Sequence, residues 1–244
     1  MNVVARMVTQ EQDGIPGYMA HPDAPGKRPG ILMVHHAHGV TADYKIDAYR
    51  LACLGFDVLA PDLFNMFGIA GTTHIGMGAD LQAKHGDDEF LGKIDEAWRY
   101  LIDRMGTDPA RTGCIGHCMG GRLLIPFAAD HPSVKAIVLY YPSVRDEPET
   151  GHRPRHAFHL AKTLQCASLV FAAGQDYRHA GHPGPALAGL PRQRQARGVA
   201  LLLRRPARLP ASRQPGLPAL LRRPHVATDH RLPAAHRLIP RGEI

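Results

Sequence analysis

"TGCIGHCMGGRLL", residues 112–124, places a cysteine between two glycines where a short apolar run ends and a helical pattern begins. Its centre, "GHCMG" (116–120), fits the pattern G-x-C-x-G, which is typical of a sharp turn from a strand into a helix. Gly116 and Gly120 leave room for a strained central residue that stands above a sheet. The stretch therefore predicts a strand, a tight turn with Cys118 at its apex, and a helix.

The chemistry of a thiol at such a turn differs from that of a thiol in a core. The helix that follows points its free N–H groups and the positive end of its dipole at the sulfur, which favours a thiolate and supports an oxyanion. The alternative is that Cys118 is a buried cysteine that acts as a small apolar side chain. The strand before it and the helix after it favour a nucleophile.

Alternating strand and helix patterns extend on both sides of this turn. Near-continuous apolar runs predict strands, and apolar residues at helical spacing predict helices. Such alternation indicates a mostly parallel sheet with helices on both faces. The glycine-rich segment from Asn65 to Gly86 has a weak pattern and is predicted to be a loop or lid. The predicted strands are "GILMVHH" (30–36), "FDVLAPDLF" (56–64), "VKAIVLYYP" (134–142) and "CASLVFAAGQD" (166–176), and the helices are "ADYKIDAYRLACLG" (42–55), "DDEFLGKIDEAWRYLIDRMG" (87–106) and "MGGRLLIPFAADHP" (119–132).

Composition indicates a globular protein without a membrane span. The 244 residues are 44% hydrophobic, and no long apolar run occurs among them. The first residues show no export signal, so we expect a cytoplasmic protein with reduced thiols. Apart from Cys118, the cysteines are expected inside helices or strands: Cys53, Cys114 and Cys166.

The net charge of +7 comes from the last part of the chain. Residues 178–244 hold 13 arginines, no lysine, two acidic residues, ten of the 21 prolines and no aromatic residue. Frequent prolines interrupt helices, and the lack of aromatic residues leaves little to anchor a core. We therefore divide the chain into a folded core, 1–177, and a poorly structured Arg/Pro-rich tail, 178–244. The tail has the composition of a GC-rich coding sequence translated out of frame, which is a hypothesis that sequencing the gene would test.

Two other interpretations of these features remain. The tail could be a basic arm of a binding protein, but it lacks a recognition motif, and nucleic acid is not an expected partner. The sequence "HHAHG" with Cys114, His117 and Cys118 could hold zinc, because imidazole and thiolate suit that ion. Neighbouring residues of a strand point to opposite faces, so His35 and His36 cannot readily share one ion. We expect neither a metal nor another cofactor.

The residues around Cys118 resemble the dienelactone hydrolase family, α/β-hydrolases in which cysteine replaces the more common serine. The resemblance covers roughly the first 177 residues. It is carried by "PGILMVHHAHGV", which is similar to the oxyanion strand and loop, by "LACLGFDVLAPDLF", by the elbow "GHCMGG", and by "LVFAAGQD". It implies an α/β-hydrolase fold whose C-terminal part is atypical or incomplete in this chain.

The same resemblance implies roles for individual residues. Cys118 would be the nucleophile, and Asp176 would be the acid that orients a histidine. The backbone N–H groups of Ala37 and Met119 would form the oxyanion hole. Asp176 also follows an apolar strand, where catalytic groups gather in open parallel sheets, although an aspartate there could simply cap a turn. His36 stands where the family usually carries a glutamate, and it could take the proton of the thiol.

The triad histidine has no assignment in this sequence. His179 and His182 follow Asp176 too closely to return across the sheet, and the others lie among prolines and arginines: His225, His230 and His236. The function that the sequence predicts is hydrolysis of small carboxylic esters or lactones through a cysteinyl thioester. A catalytically impaired remnant of such an enzyme is the alternative.

Overall fold

The structure of the protein is a computed structural model that describes residues 2–69, 77–144, 148–172 and 199–204. All of these residues belong to one compact unit, Met1–Pro206. The strands are β1 (Val3–Val8), β2 (Gly17–Pro22), β3 (Pro29–Val34), β4 (Asp57–Pro61), β5 (Asp108–His117), β6 (Ala136–Tyr140), β7 (Ala167–Ala172) and β8 (Val199–Arg204). The helices are α1 (Gln10–Asp13), α2 (Ala42–Cys53), α3 (Leu63–Met66), α4 (Met77–Lys84), α5 (Asp87–Arg99), α6 (Met119–Asp130) and α7 (Ala157–Ala161).

The eight strands form one mostly parallel sheet in the order β1-β2-β4-β3-β5-β6-β7-β8. Strands β4, β3, β5, β6 and β7 are parallel, which confirms the predicted sheet. At one edge β1 and β2 add antiparallel strands that the sequence analysis did not predict. At the other edge β8 pairs with β7 in antiparallel orientation, so a strand lies within the segment that composition assigned to a poorly structured tail.

Helices cover both faces of the sheet, as predicted. Successive residues of β3 point to opposite faces. Ile31 and Met33 are buried in the cluster that includes α2. Leu32 and Val34 are buried in the larger cluster that includes α5 and α6. The sheet is therefore the central layer between two apolar cores.

The segment before α5 differs from its prediction. It was expected to be a loop or lid from Asn65 to Gly86, but α3 occupies its start and α4 covers residues 77–84. Helix α4 was not predicted, because the segment is rich in glycine and, among the described side chains of α4, the single large buried apolar residue is Leu81. The predicted helix 87–106 is confirmed as α5, continued by a π-helical turn at Tyr100–Arg104.

Among the described residues, no helix is both long enough and apolar enough to cross a membrane.

Candidate active site

Cys118 lies between the last residue of β5 and the first residue of α6, with φ 50° and ψ −110°. A non-glycine residue in such a conformation costs roughly 1–3 kcal/mol, so neighbouring groups must hold it. The Cys118 N–H donates to the Tyr140 carbonyl at 2.9 Å, and the Cys118 carbonyl accepts from the N–H groups of Arg122 and Ser143 at 3.0 Å each. The predicted sharp turn with a strained central residue is confirmed.

The two glycines of the turn, Gly116 and Gly120, are needed because a side chain at either position would collide with neighbouring atoms. A Cβ on Gly120 would meet the Val34 carbonyl and lie 2.7 Å from the His35 oxygen. A Cβ on Gly116 would lie 2.7 Å from Leu124 Cδ1 and 2.8 Å from the Gly120 carbonyl carbon. Side chains at these two positions would push α6 away from β5 and from the end of β3. The glycines thus bring the first turn of α6 against the loop that follows β3.

The backbone N–H groups of Met119 and Ala37 lie on these two adjoining segments. Within the described residues, the N–H groups of Met119 and Ala37 donate no hydrogen bond. The amides that flank Ala37 are both occupied: the His36 N–H donates to Tyr44 Oη at 2.9 Å, and the His38 N–H donates to His36 Nδ1 at 3.1 Å. Buried or partly buried amides normally find an acceptor. Ala37 and Met119 therefore have N–H groups available to an incoming oxygen.

His36 is held as a neutral ring in this arrangement. Its Nδ1 accepts the His38 N–H, so the neutral ring carries its proton on Nε2. Burial lowers the pKa of His36, and the positive charge that His38 can carry lowers it further. Asp43 acts in the opposite direction with a smaller effect. These contacts disfavour the imidazolium that His36 would become if it took the thiol proton.

Tyr44 belongs to the site, and the sequence analysis missed it. It lies on α2 at helical spacing with Ala48 and Ala52, a pattern that indicates only a buried stripe. Tyr44 is 1% exposed, and its hydroxyl accepts the His36 N–H. Burial raises the pKa of Tyr44, and the negative charge of Asp43 raises it further. The signal that could have identified it is a tyrosine on a buried stripe, whose hydroxyl needs a polar partner.

A stack of aromatic rings crosses the carboxyl ends of three strands beside Cys118. The His117 ring stacks on Tyr140 with centroids 4.7 Å apart, and Tyr140 stacks on Phe171 at the same distance. Tyr44 meets the His117 ring edge-on at 5.1 Å. Burial and the neighbouring His36 lower the pKa of His117. Its Nδ1 is buried and has no partner within the described residues.

The zinc interpretation has no support in the described residues. The His35 ring is fully buried, its Nδ1 donates to the His36 carbonyl at 2.6 Å, and its Nε2 accepts the Leu63 N–H at 3.1 Å. Both nitrogens of His35 are therefore used within the fold. Over the described ranges, no group of three or more His, Cys, Asp or Glu side chains is arranged to hold a metal ion.

The proposed acid and the candidate triad histidines lie outside the described residues. Strand β7 ends at Ala172, shortly before Asp176. The histidines concerned are His179, His182, His225, His230 and His236. Their roles remain predictions from the sequence.

The other cysteines fall into two groups. Cys114 and Cys166 are buried, and burial raises the pKa of each thiol. Cys53, which we expected in an interior, ends α2 and is exposed. It lies on the solvent side of the helix, because the buried stripe of α2 runs through Tyr44, Ala48 and Ala52. Reactivity of Cys118 must therefore be measured against that of Cys53.

A mostly parallel sheet covered by helices, with a strained cysteine at a strand-to-helix turn, defines an α/β-hydrolase fold. The chain belongs to the dienelactone hydrolase family, whose model matches residues 15–186.

Individual relatives agree with this assignment. A protein of Methylorubrum extorquens named "Putative carboxymethylenebutenolidase" is 33% identical over 168 residues, which cover 68% of this chain and 57% of that protein. A protein of the same name from Salmonella typhi is 30% identical, covering 69% and 63%. The crystal structure of the "Putative Dienelactone Hydrolase" of Klebsiella pneumoniae has a TM-score of 0.60 at 26% identity, covering 69% and 71%. The chain thus spans about three fifths of the length of these two curated relatives.

Proposed function

We propose that this protein hydrolyses small carboxylic esters or lactones through a thioester on Cys118. The observation that carries the proposal is the strained Cys118 at the start of α6, a helix that packs against the end of β3, together with the N–H groups of Ala37 and Met119, which donate to no other described residue. A nucleophile next to two free amide donors suits attack on a carbonyl group. The names of the Methylorubrum and Salmonella relatives support a lactone or ester as the substrate.

In the first half of the proposed reaction the Cys118 sulfur attacks the carbonyl carbon. The carbonyl oxygen becomes an oxyanion, which accepts hydrogen bonds from the Ala37 and Met119 N–H groups. When the tetrahedral intermediate collapses, the carbon–oxygen bond breaks and the thioester remains. The alkoxide that leaves takes a proton from solvent, which received the proton of the thiol when the thiolate formed. In the second half, water attacks the thioester, and the acid and the free thiol are released.

The thiolate that this reaction needs is favoured by its place at a helix terminus. Cys118 precedes the twelve residues of α6, and the positive end of the helix dipole stabilises a negative sulfur. We propose that His36 is the partner of the thiol, and that it acts as a neutral ring whose Nε2–H donates to the thiolate. This role agrees with the lowered pKa of His36 and with the hydrogen bond that occupies its Nδ1.

For hydrolysis of the thioester we propose Asp176 as the acid that orients a histidine, and we leave that histidine unassigned. If the tail supplies none, water has no general base, and loss of such a group typically costs about 10²–10⁴-fold. The chain would then acylate faster than it deacylates.

The test is the time course of p-nitrophenol release from p-nitrophenyl acetate, with a parallel assay that follows the loss of a dienelactone by its absorbance. We expect a burst of one equivalent followed by a slow steady rate, and no burst from Cys118→Ala. The matched control is Cys53→Ala, which removes the exposed thiol and should leave the burst intact. A wild-type protein without a burst or turnover would contradict a hydrolase. Rapid turnover that is lost on changing one tail histidine would instead show that the tail completes the triad.

A further inference from the structure

A buried polar network joins α6 to the N-terminus of α5 and to α4. The Arg122 side chain, in a residue only 6% exposed, forms a two-pronged ion pair with Asp87, with N–O distances of 2.5 and 2.9 Å. Its Nη2 also donates to Gln82 Oε1 at 3.1 Å. Asp87 is fixed in turn, because its backbone N–H donates to the His152 carbonyl at 2.7 Å. The guanidinium therefore has a fixed position beneath the first turns of α6.

Gln82 connects Arg122 to α4 through two hydrogen bonds of its side-chain amide. Its Nε2 donates to the Gly78 carbonyl at 2.9 Å, while its Oε1 accepts from Arg122. Gly78, Leu81 and Gln82 lie on one face of the helix, since their spacing of three and four residues brings them together. Leu81 on this face is 2% exposed. The amide of Gln82 thus ties the inner face of α4 to the elbow helix.

Gly78 brings this face of α4 against the candidate oxyanion loop. A Cβ on Gly78 would lie 2.6 Å from Ala37 Cβ, 2.7 Å from Ala37 Cα and 2.8 Å from the Ala37 oxygen. No side chain fits between the two backbones. Movement of α4 away from α6 would therefore loosen the residue whose N–H is one of the two free donors.

The two ends of the network reach the two candidate donors. At one end the Arg122 N–H donates to the Cys118 carbonyl at 3.0 Å, within the helical turn that carries the Met119 N–H. At the other end Gly78 contacts Ala37. The network also has a cost, because the Nε of Arg122 is buried without a partner among the described residues. A buried polar atom that is left unpaired calls for an explanation.

We propose that Gln82 and Arg122 are positioning residues that set the separation of the Ala37 and Met119 N–H groups for the oxyanion. The inference rests on the proposed function, because it requires an acyl-transfer step at Cys118. The side-chain hydrogen bonds of Gln82 and Arg122 within the described residues do not include the Cys118 sulfur. The effect of the network is confined to steps in which a carbonyl oxygen gains charge, since a displacement of about 1 Å in such a site can cost roughly 10²-fold in rate.

Two reactions of the same thiol separate this role from others. Acylation by p-nitrophenyl acetate forms an oxyanion, whereas alkylation by iodoacetamide displaces iodide from carbon and forms none. Both are measured on Cys53→Ser protein, so that Cys118 is followed alone. Gln82→Met keeps the length of the side chain and removes both hydrogen bonds. We expect its burst rate constant to fall by roughly 10- to 100-fold, while the alkylation rate and its pH profile stay within about twofold of those of the parent.

The matched control is Gln10→Met. Gln10 Nε2 donates to the Gly14 carbonyl at 3.2 Å, which is also a bond from a glutamine side chain to a glycine carbonyl four residues away, but at an exposed site. We expect both rates to be unchanged in this variant. A second variant, Gln82→Ala, also removes both hydrogen bonds, and it should show the same selective loss if Gln82→Met does not fold.

Other outcomes would overturn the inference. Equal losses of acylation and alkylation would mean that Gln82 acts on the thiol or on folding, and no loss in either reaction would mean that it positions nothing. A parent protein that is alkylated at Cys118 but shows neither a burst nor turnover would contradict the proposed function itself.

Discussion

The two ends of the parallel strands differ in how completely their polar groups are hydrogen-bonded. We call the side of the sheet where these strands begin the amino edge and the side where they end the carboxyl edge. At the amino edge, Asp57 is 1% exposed and both of its oxygens are paired, with Arg28 Nε at 2.7 Å and Thr107 Oγ1 at 3.3 Å. At the carboxyl edge, Cys118 and Tyr141 have φ of 50° and 47°. Those are the only non-glycine residues with positive φ in the described ranges. Backbone strain, which lowers stability, is therefore found at the carboxyl edge, where active sites lie in parallel sheets.

Buried polar atoms that lack a hydrogen-bond partner are also found at the carboxyl edge. Over the described ranges, the buried side-chain nitrogens without a hydrogen-bond partner are His117 Nδ1 and Arg122 Nε. His117 is the last residue of β5, and Arg122 lies in the first turns of α6. The N–H groups of Ala37 and Met119, which donate to no other described residue, follow β3 and β5 at the same ends of the strands. The carboxyl edge thus combines strain with unused hydrogen-bonding capacity.

The largest effect should come from breaking the amino edge. Asp57→Ala leaves the Arg28 charge without its partner, and removal of one member of a buried ion pair costs about 3–5 kcal/mol. We expect the free energy of unfolding in urea to fall by about 3 kcal/mol, with the rate of Cys118 alkylation unchanged in the folded protein. The control is Glu96→Ala, which removes an exposed pair with Lys93 and should cost less than about 1 kcal/mol. A large change in Cys118 reactivity would show that the two edges are coupled.

A slightly smaller effect is expected from the buried ring of His35. Burial lowers its pKa from 6.5 to about 4. Between these two pH values the unfolded chain binds a proton that the folded chain does not, so stability falls as the pH drops. One unit corresponds to about 1.4 kcal/mol, so His35 should cost roughly 2 kcal/mol at pH 5 relative to pH 7.5. Urea unfolding of wild type and His35→Gln at both values checks this, since the variant should lose that part of the pH dependence. An identical slope in both proteins would contradict the neutral, buried His35.

The smallest effect concerns the thiol partner. If the Nε2–H of His36 donates to the thiolate, its loss raises the pKa of the thiol, because the charged form loses a stabilising bond. We expect His36→Ala to shift the pH profile of Cys118 alkylation upward by about one pH unit. His21→Ala is the control, because His21 bonds to the Pro22 carbonyl in β2, away from the elbow. An unchanged profile for His36→Ala would remove His36 from the site and leave the helix dipole as the main influence on the sulfur.

The sequence predicted what depends on local pattern. The strand, turn and helix around Cys118 follow from two glycines and an apolar run, and the alternation from Gly30 to Tyr140 follows from hydrophobic spacing. Strands β1 and β2 were not predicted, because neither is a continuous apolar run: β1 contains Arg6, and β2 contains Gly17 and His21. Helix α4 was not predicted, because glycines weaken the helical spacing of its apolar residues. These misses lie outside the elements that carry Cys118.

The long-range polar contacts could not be predicted. Arg122 and Gln82 are 40 positions apart, and Arg122 and Asp87 are 35 apart. Nothing in local composition pairs them. Likewise, the sequence identified His36 as a candidate but gave no sign that the His38 N–H would occupy its Nδ1. Patterns reveal which residues are buried, whereas partners depend on the packing of α4, α5 and α6 together.

The most direct test of a cysteine nucleophile at the carboxyl edge is mass spectrometry of the protein quenched in acid during the p-nitrophenyl acetate burst. Proteolysis of the quenched sample assigns the acetyl group to a peptide. We predict one acetyl group per chain, on the peptide that contains Cys118, and none on the peptides of Cys53, Cys114 or Cys166. The group should be removed by hydroxylamine at neutral pH, as a thioester is. An acetyl group on another residue, or a burst that leaves Cys118 unmodified, would contradict the account.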